Sequence, residues 1–170
     1  NIIMSIKLLE AMEKFSINKM IFSSSATVYG NNHESPLKEN INLESVNPYG
    51  STKIIIEQLI KDYSKSNSKF KAISLRYFNP LGADIKAGLA EKPLGEPLNL
   101  MPALINSIKN QRTFNIYGKN YDTPDGTCIR DYIHVKDLAK AHLLAFKKLK
   151  SLKGHSAINI GLGKGASVLE

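Results

Sequence analysis

Short apolar runs alternate with longer stretches of helical periodicity along this chain of 170 residues. This alternation is typical of an α/β architecture, in which helices join and cover parallel strands. The predicted helices span 2–15, 51–66, 99–110 and 136–150, and the predicted strands span 20–23, 71–77, 113–117 and 157–160. We therefore expect part of a doubly wound parallel sheet. The strand at 157–160 is a candidate to close a smaller region rather than to join that sheet.

Two long connections separate these predicted elements. Residues 30–48 are polar and contain two prolines, and residues 78–98 are rich in proline and glycine. Connections of this length without their own secondary structure are usually functional or disordered. From about residue 78 onward the chain is less regular, which is typical of a region that binds a substrate.

The composition is that of an ordinary globular domain, with 42% hydrophobic and 22% charged residues. No apolar run approaches the ~20 residues that a membrane helix needs, so no membrane partner is predicted. The single cysteine, Cys128, cannot form an internal disulfide. This fits a reducing compartment and predicts a cytoplasmic protein. The four histidines lack the spacing of metal ligands, so no metal site is predicted.

The net charge of +8 comes almost entirely from lysine. The densest basic run, at 147–153, lies at the end of a predicted helix, where the helix dipole favours cations. A surface that binds nucleic acid would combine arginine with aromatic residues. The basic run is therefore interpreted as a solvated helix end, and no nucleic-acid partner is predicted.

Tyr49 and Lys53 lie four residues apart at the start of a predicted helix. Residues at positions i and i+4 share one helix face, so a phenol and an ammonium group lie side by side. A free phenol has a pKa of ~10, and a neighbouring cation favours its phenolate form. The pair is therefore a candidate general acid/base for a substrate hydroxyl. Tyr-x-x-x-Lys is also frequent by chance, so a plain helix surface is the alternative for the pair alone.

A second group of hydroxyls strengthens that hypothesis. Ser23, Ser24 and Ser25 follow the apolar run at 20–22, which is predicted to form a buried parallel strand. Ligands bind at the carboxyl ends of such strands in open α/β sheets. Ser25 is the candidate for a site role, whereas Ser23 and Ser24 are interpreted as ties to the backbone at the strand end.

Five motifs occur in a fixed order along the chain. They are SSSATVYG at 23–30, PYGSTK at 48–53, RYFNPLGA at 76–83, NLMP at 99–102 and DGTCIRDYIHV at 125–135. In this combination the chain resembles the UDP-glucose 4-epimerases, also called UDP-galactose 4-epimerases, of the extended short-chain dehydrogenase/reductase superfamily. Cys128 departs from the small residue, usually glycine, that this family has at that position.

The resemblance implies a Rossmann-like fold, tightly bound NAD and a UDP-hexose substrate. In the family, NAD takes a hydride from C4 of the hexose and returns it to the opposite face of a 4-keto sugar. Tyr49 would then be the acid/base, Lys53 would also bind the NAD ribose, and Ser25 would share the proton. The implied cofactor-binding residues are Tyr49, Lys53, Ser25 and Phe78. The implied substrate-binding residues are Ser25, Thr27, Tyr49, Asn79, Asn99, Leu100, Asn115, Ile116, Tyr117 and Arg130.

The resemblance also implies a domain organisation. Residues 1–77 would be the C-terminal part of the NAD-binding domain. Residues 78–170 would mainly bind the UDP-sugar, with segments that return to the sheet. A glycine-rich phosphate loop is expected before residue 1 and a further segment after Glu170, because no such loop opens a strand–helix unit in this sequence. The chain alone is therefore expected to be inactive, and the full-length enzyme is expected to be a homodimer.

Two alternatives to this function remain open. Another sugar-nucleotide enzyme of the superfamily, a 4,6-dehydratase or a decarboxylase, would retain Tyr49 and Lys53. A dehydratase needs acidic residues beside Thr27, and the sequence has Ala26 and Val28 there. The second alternative is a non-catalytic binding module, against which the presence of Ser25, Tyr49 and Lys53 together argues.

Overall fold

The computed structural model describes residues 1–31 and 34–170. Asn32 and His33, which belong to the predicted connection 30–48, lie outside the described residues. The helices are α1 (Ile2–Lys14), α2 (Pro48–Ser66), α3 (Leu100–Lys109) and α4 (Val135–Lys148), and a 3₁₀ turn spans Ala26–Tyr29. The strands are β1 (Lys19–Ser25), β2 (Lys71–Tyr77), β3 (Asn79–Leu81), β4 (Ile129–His134), β5 (His155–Ile160) and β6 (Gly165–Ser167).

The chain divides into two compact units. The first unit contains residues 1–78 and 140–160, and the second contains residues 79–139 and 161–170.

Among the described residues, no helix is long and apolar enough to cross a membrane. The described part of the chain also contains no group of His, Cys, Asp and Glu residues that could hold a metal ion.

The first unit is built on a three-stranded parallel sheet in the order β1-β2-β5. β2 lies in the centre, and its residues 72–76 are all buried. In the register of the sheet, Tyr77 lies opposite Ser25 on one side and opposite Ile160 on the other. The α/β architecture with a parallel, Rossmann-like sheet is therefore confirmed.

Helices cover both faces of this sheet, because side chains alternate along each strand. One face packs against α1 and α2, in a cluster of Met12, Met20, Phe22, Ile56, Ile60, Phe70 and Ala72. The other face packs against α4, in a cluster of Ile73, Leu75, Ala145 and Leu149 with Ile21 and Tyr77 beside it. This alternation directs Ser24 and Arg76 to the α2 side and Ser23, Ser25 and Tyr77 to the α4 side.

A buried ion pair lies between the sheet and α2. The guanidinium of Arg76 donates to both carboxylate oxygens of Glu57, with the shortest contact at 2.7 Å, and both side chains are at most 5% exposed. Arg76 also donates to the hydroxyl of Tyr29 at 2.8 Å, and Tyr29 donates to Asn159 at 2.5 Å. Residues of β1, α2, β2 and β5 are thus joined through one buried polar network, because Ser24 donates to Glu57 as well.

The second unit contains the other sheet, α3 and the first residues of α4. β3 pairs in parallel with β4, and β4 pairs antiparallel with β6. Asp131, on β4, accepts hydrogen bonds from the backbone N–H groups of Leu162 and Gly163 at 2.8 and 2.7 Å. This explains how the end of the chain is tied to the β3–β4 pair.

The structure corrects three expectations on secondary structure. The predicted strand 113–117 is wrong, because these described residues form neither helix nor strand. β5 joins the main sheet beside β2 rather than closing a smaller region. The short strands β3, β4 and β6 were not predicted, since runs of three to six residues with mixed polarity lack a clear period.

Candidate functional site

Tyr49 and Lys53 lie on the first turns of α2, at the carboxyl end of β1. The helix begins at Pro48, because the side chain of Asn47 caps it by accepting from the Gly50 N–H at 2.8 Å. The Nζ atom of Lys53 lies 5.4 Å from the centroid of the Tyr49 ring. Tyr49 is 50% exposed, so its phenol is accessible to a ligand.

The ammonium group of Lys53 contacts two residues of β1. Its Nζ donates to the backbone carbonyl of Ser23 at 2.7 Å and lies 4.9 Å from the centroid of the Phe22 ring. Burial lowers the pKa of Lys53 from its ordinary value near 10.5. An ammonium has three N–H donors, so two remain for a ligand after the bond to Ser23.

Ser25 and Thr27 form the turn that follows β1. The Oγ atom of Ser25 accepts from the N–H of Thr27 at 3.3 Å and from its hydroxyl at 3.0 Å. A Cβ atom at Gly50 would lie 2.8 Å from the carbonyl oxygen of Thr27. The glycine beside Tyr49 therefore lets the first turn of α2 pack directly on the turn that carries Ser25.

The hydroxyls of Ser23 and Ser24 bond to side chains rather than to the backbone. Ser24 donates to Glu57, and Ser23 accepts from the hydroxyl of Tyr77 at 2.8 Å. The interpretation of both as ties to the backbone at the strand end is therefore wrong.

Tyr77 and His142 also belong to this site, although the sequence did not indicate them. The Tyr77 hydroxyl lies 2.7 Å from Nε2 of His142 on α4. Burial raises the pKa of Tyr77, the bond to Ser23 opposes that rise, and the nearby Tyr49 adds to it. The available signal was the position of Tyr77 at the end of a predicted strand. Phe78, the next residue, is half-buried and donates its N–H to the Ile160 carbonyl at 3.0 Å.

The second unit contains a cavity of about 830 Å³. Four of the predicted substrate-binding residues line it: Asn79, Asn99, Leu100 and Arg130. Polar or reactive groups that were not predicted as ligands also line it, namely Asp84, Glu91, Cys128, Tyr132 and Lys136.

The charged groups of this cavity have defined partners. Arg130 is exposed and donates to the carbonyl of Ile129 at 2.8 Å, so most of its N–H groups remain for a ligand. The side chain of Asn99 donates to Glu91 at 2.8 Å, and Lys136 lies 3.5 Å from Asp84. Burial raises the pKa of Tyr132, the neighbouring Cys128 adds to the rise, and Arg130 opposes it.

Asn115, Ile116 and Tyr117 are not among the residues that line this cavity. They lie in an irregular segment after α3, and Tyr117 is 84% exposed. The structure thus brings the predicted residues of β3, α3 and β4 together, but not those of the segment 115–117.

Comparison with known proteins identifies the family. The model of the NAD dependent epimerase/dehydratase family matches residues 1–161. The chain belongs to this family. Curated relatives confirm the resemblance. The chain is 45% identical over 172 residues to a UDP-glucose 4-epimerase of Erwinia amylovora, and 44% identical over 164 residues to one of Bacillus subtilis (strain 168). The chain spans about half the length of these relatives, 51% and 48%.

Solved structures of this epimerase family have the same fold. The chain superposes on UDP-glucose 4-epimerase of Bifidobacterium longum, in complex with NAD⁺ and UDP, with a TM-score of 0.90 and 42% identity. The Stenotrophomonas maltophila enzyme, with bound NAD and formylated UDP-arabinopyranose, gives a TM-score of 0.92 at 42% identity. Each match covers 98% of this chain and 50% of the solved chain.

Proposed function

We propose that the protein containing this chain interconverts UDP-glucose and UDP-galactose with bound NAD. The observation that carries the proposal is the Tyr49–Lys53 pair, with Nζ of Lys53 5.4 Å from the Tyr49 ring at the carboxyl end of β1. A phenol beside a cation at that edge of a parallel sheet is suited to proton exchange with a sugar hydroxyl. The relatives named as UDP-glucose 4-epimerases support the choice of UDP-glucose, and inversion at C4 of UDP-glucose gives UDP-galactose.

Each residue of the pair has a separate task in this proposal. Tyr49 takes the proton of the sugar 4-hydroxyl and later returns it. Lys53 stabilises the phenolate through its charge, and Ser25 shares a hydrogen bond with the same hydroxyl, assisted by Thr27. The Oγ atom of Ser25 only accepts hydrogen bonds from Thr27, so the Ser25 hydroxyl hydrogen remains available to donate to the sugar.

The residues at this site fit one part of NAD. When bound, NAD supplies the hydride acceptor and donor for C4 of the sugar. Lys53 retains two N–H donors for the ribose hydroxyls after its bond to Ser23, and the half-buried Phe78 offers an apolar face. The pyrophosphate needs backbone N–H groups behind a glycine turn, and no such turn opens a strand–helix unit in this sequence.

The cavity of the second unit is the proposed site of the UDP moiety. Arg130 provides an always-charged, forked donor that matches phosphate oxygens. Asn79, Asn99 and Leu100 would contact the sugar, the diphosphate and the nucleotide. Asn115, Ile116 and Tyr117 remain proposed contacts of the uracil. A homodimer and a cytoplasmic location complete the proposal, and residues 1–77 and 78–170 keep their proposed roles in binding NAD and UDP-sugar.

The test of the proposal is the variant Tyr49→Phe in the natural gene product that contains residues 1–170, called here the natural-length protein. Turnover of UDP-galactose should fall by ~10²–10⁴-fold, the usual contribution of a positioned acid/base. Binding of UDP-galactose should remain unchanged in calorimetry, because the ring is retained. Turnover close to that of the parent would exclude Tyr49 as the acid/base.

The same preparation separates this reaction from a dehydratase. The epimerase yields UDP-glucose, which chromatography resolves from UDP-galactose, whereas a dehydratase loses water and gives a product of lower mass. Formation of the dehydrated product by the parent would contradict the proposed function. Absence of both products would favour the non-catalytic alternative.

A further inference from the structure

Three side chains from three elements form a hydrogen-bonded chain on the α4 side of the main sheet. The Nε2 atom of His142, on α4, lies 2.7 Å from the hydroxyl oxygen of Tyr77, at the end of β2. That hydroxyl lies 2.8 Å from the Oγ atom of Ser23, on β1. The chain therefore begins on α4 and ends on the strand that carries Ser25.

Ser23 is also the residue that holds Lys53. Its backbone carbonyl accepts from the Lys53 ammonium at 2.7 Å, while its side chain bonds to Tyr77. Movement of the Ser23 peptide would therefore change the distance between the ammonium and the Tyr49 ring, which is 5.4 Å. Two hydrogen bonds separate His142 from the residue that anchors Lys53.

The hydrogen bonds on either side of the Tyr77 hydroxyl depend on each other. A hydroxyl donates one hydrogen and can accept others, and a neutral imidazole carries its hydrogen on one of its two ring nitrogens. When His142 donates from Nε2, Tyr77 is free to donate to Ser23. When Nε2 lacks a hydrogen, Tyr77 donates to the ring, and Ser23 must become the donor. The hydrogen on Nε2 thus selects the orientation of both hydroxyls.

Tyr77 is suited to transmit orientation rather than charge. Burial raises its pKa, so the phenol remains neutral near neutral pH. Its ring also packs against the His142 ring, with centroids 5.6 Å apart. A neutral hydroxyl that is fixed by packing can hold Ser23 without competing with Tyr49 for a substrate proton.

We propose that His142 is a positioning residue for the Tyr49–Lys53 pair and acts through Tyr77 and Ser23. The proposal rests on the function proposed above, because its effect is on the rate of proton exchange at Tyr49. Loss of the imidazole removes one hydrogen bond of the Tyr77 hydroxyl and lets Ser23 and the Lys53 ammonium shift. The chemical step slows, while substrate binding in the second unit is retained.

The test compares kcat and KM for UDP-galactose among variants of the natural-length protein. In His142→Leu and in Tyr77→Phe, kcat should fall about fivefold to tenfold, the rate equivalent of one hydrogen bond. KM should stay within about twofold, because a group that acts only on the chemical step leaves ground-state binding unchanged. His142→Gln offers an N–H donor near the Nε2 position and should recover most of kcat.

Two further variants show whether His142 acts through Tyr77. The double variant H142L/Y77F should be no slower than Tyr77→Phe alone, since coupled residues give non-additive effects. Leu143→Gln is the matched control, because Leu143 is the next residue on α4 and is 65% exposed. It should keep the kcat of the parent. The NAD content of all variants should equal that of the parent.

Several results would overturn the proposal. One is a kcat in His142→Leu equal to that of the parent, and another is a loss of kcat in His142→Gln as large as in His142→Leu. The third is a loss in the double variant equal to the product of the two single losses. Each result would mean that His142 only packs. If His142→Leu does not fold, a parental kcat in Tyr77→Phe overturns it. Failure of the parent protein to convert UDP-galactose would refute the proposed function, and with it this role. An active parent with unaffected variants would refute this role alone.

Discussion

Arg130 is the residue of the second unit that we propose binds the diphosphate. Its guanidinium lines the 830 Å³ cavity, is exposed, and makes one hydrogen bond to the backbone of Ile129. The neighbouring carboxylate of Asp131 instead binds the N–H groups of Leu162 and Gly163. The Arg130 side chain can therefore bind an anion without first breaking an ion pair with Asp131.

Arg130→Ala should weaken UDP binding to the natural-length protein by ~1.5–3 kcal/mol, the usual contribution of a hydrogen bond to a charged group. Isothermal calorimetry with UDP measures this change, and NAD content should not change. Arg112→Ala is the matched control, because Arg112 is exposed and does not line the cavity. Equal UDP affinity in Arg130→Ala and the parent would exclude the phosphate role.

We expect His155 to make the stability of the first unit depend on pH. Its Nε2 atom lies 2.8 Å from the hydroxyl of the fully buried Ser74. Burial lowers the pKa of His155 below its ordinary value of 6.5. In the unfolded chain His155 binds a proton below about pH 6.5. In the folded protein it binds one only when the pH falls to the lower pKa that His155 has there. The stabilising contribution is thus complete above pH 6.5 and is lost as the pH falls.

The free energy of unfolding should therefore decrease between pH 7 and pH 5 more steeply in the natural-length protein than in His155→Gln, which cannot titrate there. Urea denaturation at a series of pH values measures both slopes. Parallel curves for parent and variant would show that His155 has the same pKa in the folded and unfolded states.

At the scale of elements, the position of α2 decides where Tyr49 and Lys53 lie. The helix starts on the Asn47 cap, three residues before the predicted start at residue 51, because Pro48 fits its first position. Gly50 lets this first turn approach the carbonyl of Thr27. Close contact between the first turn of α2 and the turn that carries Ser25 therefore adds to the core packing of the helix in setting the position of Tyr49 and Lys53.

Gly50→Ala should reduce kcat/KM by about tenfold or more, because a displaced acid/base loses much of the benefit of orientation. The added Cβ would lie 2.8 Å from the Thr27 oxygen and closer still to the Ser45 hydroxyl. Helix propensity alone favours alanine by ~1 kcal/mol, so a loss would be due to the contact. Gly95→Ala, where nothing lies within 4 Å, is the control. Unchanged kcat/KM in Gly50→Ala would contradict the account.

The sequence predicted long periodic elements well and short ones poorly. The helices α1 to α4 and the strands β1, β2 and β5 were expected, because their apolar residues either follow a helical period or form a compact apolar run. The parallel pairing of β5 with β2 was not expected, since its partner lies about 80 residues away. The segment 113–117 was predicted as a strand from its residue types. A strand also needs a partner strand, and the local sequence does not show whether one is present.

For the site, local spacing was informative and long-range contact was not. Tyr49 and Lys53 were recognised because residues four positions apart on a helix lie next to each other on one face. Tyr77 and His142 are 65 residues apart, so no local pattern indicates that their side chains meet. Only the packing of α4 against β2 brings them together.

At the scale of the whole chain, the proposed NAD binding requires a glycine-rich turn, and no such turn opens a strand–helix unit in residues 1–170. The pyrophosphate is held by backbone N–H groups at a helix N-terminus behind a glycine turn. We therefore expect purified residues 1–170 neither to retain NAD nor to convert UDP-galactose. Absorbance spectra and an enzymatic NAD assay after denaturation measure the bound cofactor. Stoichiometric NAD in an active 170-residue protein would overturn this expectation.

The main sheet also affects the behaviour of the isolated chain. Within the described residues, β1 pairs with β2 along one edge and has no partner strand along its other edge. Met20, Ile21 and Phe22 lie in the middle of that strand. Unpaired edges of this kind promote association between chains. The 170-residue chain should therefore associate with itself during purification.

The buried charge of Arg76 has a consequence for synthesis on the ribosome. Its partner Glu57 is translated before it, and so is Tyr29, but Tyr29 is fixed by Asn159. A guanidinium is stable away from water only when its donors are satisfied. The guanidinium also donates to the carbonyl of Glu39, so every group that satisfies it is synthesised before Arg76 itself. Asn159 is the last member of the network to be made, so the Tyr29 hydroxyl gains its own partner only after β5 has been synthesised.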